Sequence, residues 1–138
     1  MNTPSLLPIA AALLFVILAS ARLLMPERPS RKLWLLPACL SLGFLIFSLV
    51  AVGIEGPFGF WSEHTRNLWG NQIWFDLLLA IGIGWFLIVP QARKLQMRLV
   101  PWLLLIVVTG CIGFTAMLSR LMFLQAQDDS TSSSARDA

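Results

Sequence analysis

Charge is what this sequence has least of. Only 12 % of its 138 residues are Asp, Glu, Lys or Arg, whereas 57 % are hydrophobic. Soluble domains carry about 25 % charged and about 45–50 % apolar residues. Ten basic and seven acidic residues, net +3, are too few to clothe a water-exposed surface. That shortage excludes disorder as the main state and a soluble nucleic-acid binder. Two cysteines are too few for a disulfide scaffold. A single histidine cannot supply paired axial haem ligands, and no zinc-type Cys/His spacing accompanies it. There is no phosphate-cradling glycine loop, no Ser/His/Asp set and no lipidation signal. No cofactor and no bound metal are expected.

What is present is apolar sequence in long runs, with a mean hydropathy of +0.77. Four runs stand out, at about residues 6–25, 33–54, 73–90 and 99–124. Each reaches about 18 residues, the length that separates a membrane span from a buried soluble helix. No strand-like alternation is visible, and in hydrocarbon the backbone must bond within itself, so the runs read as helices. The expected fold is an all-α membrane protein, four transmembrane helices in a compact up-down bundle forming one domain over residues 1–124. Four crossings of about 20 residues leave roughly 58 for connections, too few for a separate soluble domain. The Ser-rich tail 125–138 (QAQDDSTSSSARDA) reads as disordered.

Prolines punctuate the runs. Pro26 and Pro29 end the first, Pro90 and Pro101 flank the third connection, and Pro8 and Pro37 fall in first turns, where a missing N–H costs least. Basic residues then set orientation. Arg22, Arg28, Arg31 and Lys32 surround the first connection and Arg93, Lys94 and Arg98 fill the third, against Arg66, Arg120 and Arg136 on the other side. Positive residues stay cytoplasmic, which predicts a multi-pass membrane protein with both termini and the long second loop outside. Ala19-Ser20-Ala21 has the small-x-small pattern of a signal-peptidase site, but no positive n-region precedes it and a basic cluster follows. The uncleaved helix is the preferred reading.

Chemistry, if any, concentrates in the second connection, Glu55–Asn71 (EGPFGFWSEHTRNLWGN). On helical spacing Trp61, Leu68 and Trp69 share one face, with Glu63, Arg66 and Asn67 around the other. Such a segment suits the headgroup region, with Trp74 in the same aromatic belt and Trp34 and Trp102 in the opposite one. A sharper reading groups Glu55, Glu63, His64 and Asp76 as metal ligands or a proton relay, but their spacing matches no ligand motif, and an anchoring belt is the simpler account.

Asp76 and Arg120 lie inside apolar runs, where charges are costly and turn toward a partner. In an antiparallel hairpin of the third and fourth runs both would sit toward the outer end and lean toward each other. The expectation is an ion pair, with Asn71 or Gln72 as further partners; the alternative is that Arg120 snorkels to the headgroups. Cys39 and Cys111 are expected at different depths, about 9 and 18 Å from the inner boundary, and therefore unbridged. Ala80-x-x-x-Gly84 and Thr109-x-x-x-Gly113 are small-residue spacings that let helices approach, within the bundle or across a dimer face.

From about Gly59 to Leu124 the chain resembles a family of small bacterial inner-membrane proteins of unknown function. The likeness rests on Asn71 in a polar loop, Asp76 followed by Leu77-Leu78, the ARKLQMR segment at Ala92–Arg98, and a further apolar helix ending near an arginine. It departs from the family pattern in its first helix and in the early position of Arg120. The resemblance implies no reaction; it marks Asp76 and the basic loop as family features. The leading expectation is a non-enzymatic accessory or partner-binding subunit whose partners are the bilayer and another membrane protein or a second copy, with no nucleic acid. A small oligomeric transporter using Asp76 and Arg120 is the alternative, and a membrane enzyme acting on lipid or isoprenoid a third.

Overall fold

The computed structural model describes residues 3–24 and 32–136 and is all-helical over them. Arg28 and Arg31, two of the expected cytoplasmic anchors, lie outside the described residues, as do Pro26 and Pro29. The chain divides into two units, Met1–Ser30 and Arg31–Ala138. The first is helix α1, Thr3–Leu24, which runs through Pro8 without ending.

Among its described residues the second unit has five helices. A turn in which Leu35 N–H donates to Lys32 O leads into α2, Leu35–Glu55. No charge interrupts α2 before its last residue, and it stops at Gly56, whose φ of 84° a side chain would resist. Helix α3, Gly59–Thr65, is one short piece between the long helices. Helix α4 runs Leu68–Lys94 and begins on an Asn67 cap, whose side chain accepts from Gly70 N–H at 2.8 Å. It is longer at both ends than the 73–90 run. Pro90 costs one backbone bond but does not end it.

The helix ends instead in a Schellman turn. Met97 N–H donates to Ala92 O and Gln96 N–H to Arg93 O, with Gln96 at φ 58°. Met97 packs against the core that contains Ala92.

The fourth apolar run departs from expectation. It is not one helix but two, α5 (Leu99–Thr109) and α6 (Cys111–Arg136), divided at Gly110. Gly110 has φ 59° and ψ −124°, a conformation open to glycine and strained for other residues. A Cβ on Gly113 would lie 2.9 Å from both Ile106 N and Leu105 C, so α6 folds back against α5. Gln125 Nε2 donates to Gln91 Oε1 at 3.1 Å, which returns α6 to the level where α4 ends. A straight helix from Leu99 would carry Gln125 about 39 Å away at 1.5 Å per residue.

The local chemistry favours the break. Val107, Val108 and Thr109 are β-branched and helix-weakening, and Gly110 follows. Thr109 Oγ1 then accepts from Gly113 N–H at 3.0 Å, satisfying a donor of the new first turn.

Helix α6 is the element on which α2, α4 and α5 pack. Ser41 Oγ donates to Ile112 O and Ser119 Oγ to Trp34 O, so α2 runs antiparallel to α6. Phe114 lies on Gly84 while Gln125 meets Gln91, so α4 runs parallel to it. Ile88, Ala92, Ile106, Met117 and Leu121 form the buried core between α4, α5 and α6. The two small-residue spacings are used in this packing: a Cβ at Gly84 would fall into the Phe114 ring, and Gly113 meets backbone.

The run to Leu124 ends near the level where α4 ends, since Gln125 meets Gln91. Helix α6 itself continues to Arg136. Once a helix is nucleated, each further residue adds a hydrogen bond at little cost, and no Pro or Gly interrupts Gln125–Arg136.

Candidate functional site

The second connection forms a small aromatic and polar recess of about 70 Å³, lined by Phe60, Trp61, His64, Thr65, Asn71 and Trp74. Its shape follows from the approach of α3 to the start of α4. A Cβ at Gly70 would come within 2.7 Å of Glu63 O and 2.8 Å of His64 O, so only glycine permits the contact. Across it, Phe60 stacks on Trp74 at 6.0 Å, and His64 meets Trp74 edge-on at 5.2 Å.

His64 Nδ1 lies 2.6 Å from Phe60 O. A carbonyl only accepts, so Nδ1 carries the proton and Nε2 is the acceptor in the neutral ring. Thr65 Oγ1 donates to Trp61 O at 2.7 Å, and Asn71 Nδ2 to Asn67 O at 3.1 Å. Glu63 pairs with Arg66 at 3.6 Å, both side chains being largely exposed, a contact of small energetic worth. Trp61 and Leu68–Trp69 do not form one helical face, because α3 stops at Thr65 and the latter two open α4.

The four residues weighed as a metal or relay cluster are not gathered. Glu55 is the exposed last residue of α2 and borders Gly59; Asp76 is exposed on α4 and outside the recess. No group of three His, Cys, Asp or Glu side chains able to hold a metal exists among the described residues.

Asp76 and Arg120 do not pair. The ion pair among the described residues joins Glu63 and Arg66. Because α6 folds back, Arg120 lies level with about Ile88, roughly 18 Å of helix rise from Asp76. Its guanidinium instead sits 5.6 Å over the Phe123 ring, and Phe123 meets Trp34 edge-on at 5.1 Å. Arg120 therefore belongs to the end of the unit that carries Lys32, Arg93, Lys94 and Arg98. Cys39 and Cys111 are both unbridged, although the fold-back leaves them about one helical turn apart in level.

Sequence reasoning missed the α5–α6 turn and the cap at Gln96. The first had a signal in Val107–Gly110; the second had none, since Gln rarely takes positive φ. No family model, curated protein or solved structure matches the chain.

Proposed function

We propose that this chain is a polytopic inner-membrane protein without catalytic activity, an accessory subunit whose apolar helix faces are covered by lipid and by a partner membrane protein. The observation that carries this reading is how little the fold covers itself. On α4, Leu79, Ile83, Phe86 and Leu87 are 61–77 % exposed, and on α5 Val107 and Val108 are 75 % and 82 % exposed. Burying one such side chain is worth about 1.5–3 kcal/mol. Ten left in water would forgo roughly 15–30 kcal/mol, more than the roughly 5–15 kcal/mol by which domains are stable. The surface needs an apolar cover.

Lipid is the cover that the dimensions suit. Helices α2 and α4 are long and apolar enough to cross a membrane, and α2 extends about 31 Å against a hydrocarbon core of about 30 Å. In this reading α5–α6 is a re-entrant hairpin that enters from the basic end and returns to it. Non-spanning backbone is tolerated at membrane depth where protein covers it, as α2 and α4 cover α6. The positive-inside rule then places the Lys94–Arg98 turn and the end of α6 in the cytoplasm and α3 outside. The resemblance to small inner-membrane proteins belongs to this proposal and agrees with it.

The transport alternative loses its motivating pair, because Asp76 and Arg120 stand apart. The test is extraction and native purification. Resistance to alkaline carbonate and co-migration with one stoichiometric membrane partner are expected. Release by carbonate would overturn the membrane reading, and migration as a lone monomer would overturn the accessory role.

A further inference from the structure

We infer that the basic end of the second unit holds the headgroup of an anionic phospholipid, between Arg98 at the start of α5 and Arg120 on α6. The inference rests on the membrane reading above and adds a ligand class and a location to it.

Three observations converge. The first is register. Gly113 faces Leu105–Ile106 and the two helices run antiparallel, so Arg120 is level with Arg98 and Leu99. Leu99 and Trp102 pack against the core shared by α4, α5 and α6. The second is uncompensated charge. Arg98 and Arg120 are both exposed and neither is ion-paired with a described carboxylate. Asp128, the nearest acidic residue along α6, is about 12 Å further on. Arg98 is also the N-cap of α5, where no side chain accepts from the orphan N–H groups of the first turn. An anion there meets two guanidinium groups and a helix N-terminus together.

The third is orientation. Arg120 is held over Phe123, which packs edge-on against Trp34 at the entry to α2. The guanidinium is therefore anchored at an aromatic girdle, where headgroups lie. Val100, Leu103 and Val107 expose an apolar stripe on α5 that leads away from Arg98. A phosphodiester at the arginines leaves acyl chains along that stripe. Charge at one end and apolar surface at the other select a lipid over a soluble anion. Basic pockets between helices on the cytoplasmic side bind anionic lipid heads by the same chemistry.

The full chain is inserted into nanodiscs that mix phosphatidylcholine with phosphatidylglycerol, and the lipids it retains are measured by native mass spectrometry. Preferential retention of phosphatidylglycerol is expected, falling roughly fivefold for each cation removed in Arg98→Gln and Arg120→Gln. Arg98→Lys with Arg120→Lys should restore most of the preference, and Arg66→Gln at the far end should leave it intact. Equal retention of the two lipids, or an undiminished preference in the double Gln variant, overturns the site. Displacement by inorganic phosphate overturns the lipid assignment. Failure of the parent chain to enter nanodiscs at all overturns the membrane reading itself.

Discussion

Replacing Gly110 and Gly113 with alanine should straighten the α5–α6 hairpin into the single helix that the apolar pattern suggests. At Gly110 an L-residue would be held at φ 59° and ψ −124°, a strain of about 1–3 kcal/mol. At Gly113 the new Cβ would sit 2.9 Å from Ile106 N and Leu105 C. Both are backbone atoms that cannot rotate away, and such overpacking costs about 1–3 kcal/mol. Each Gly→Ala change also favours continuous helix by about 0.8–1.0 kcal/mol. The double variant is therefore biased against the hairpin by roughly 4–8 kcal/mol, comparable with the whole stability of a domain.

Gln91 and Gln125 report the change, because their side chains bond at 3.1 Å in the hairpin and separate to tens of ångströms once it straightens. Cysteines introduced at both, with Cys39 and Cys111 replaced by alanine, should cross-link readily in the parent background and fail to do so with Gly110→Ala and Gly113→Ala. A reporter after Arg136 should move from the side of the Arg93–Arg98 turn to the other side. A parent that does not cross-link, or a double variant that cross-links as well as the parent, would refute the fold-back.

Other consequences can be checked in parallel. Ser119→Ala and Ser41→Ala each remove a hydrogen bond between α2 and α6 and should cost about 0.6–2 kcal/mol in detergent unfolding titrations. Gln96→Gly relieves a positive φ in the α4 cap and should raise stability by up to about 1 kcal/mol, read as a higher thermal midpoint. Asp76→Ala and Arg120→Ala should be additive within about 0.5 kcal/mol in a double-mutant cycle, since roughly 18 Å separates them; a larger coupling would contradict their separation. Gly70→Ala forces α3 off the start of α4 and should shift Trp fluorescence while leaving the Gln91–Gln125 cross-link intact.

Hydropathy and its breaks determined much of this molecule by themselves. With 12 % charge, 57 % hydrophobic residues and no strand-like alternation, the long apolar runs read as helices, which satisfy their own backbone bonds. The apolar runs place α1, α2 and most of α4, because helix formation there depends on local periodicity and on the absence of breakers. The short helix in the second connection was legible from its turn residues and aromatics. Asn71, His64 and Glu63 all lie in that segment, but Asn71 and His64 bond to carbonyls four residues earlier and Glu63 pairs with Arg66, which residue type alone does not reveal.

Tertiary structure alone decided the direction of the last third. Hydropathy averages over a window and cannot distinguish one helix of 26 residues from two that meet at Gly110. A single φ of 59° reverses the chain, and that reversal is stabilised by contacts between residues far apart in sequence: Ser119 with Trp34, Phe114 with Gly84, Gln125 with Gln91. The same reversal separates Asp76 from Arg120 and moves Arg120 to the basic end. The scarcity of charge singled out those two residues, but which of them meets which surface depends on long-range packing that no local pattern encodes.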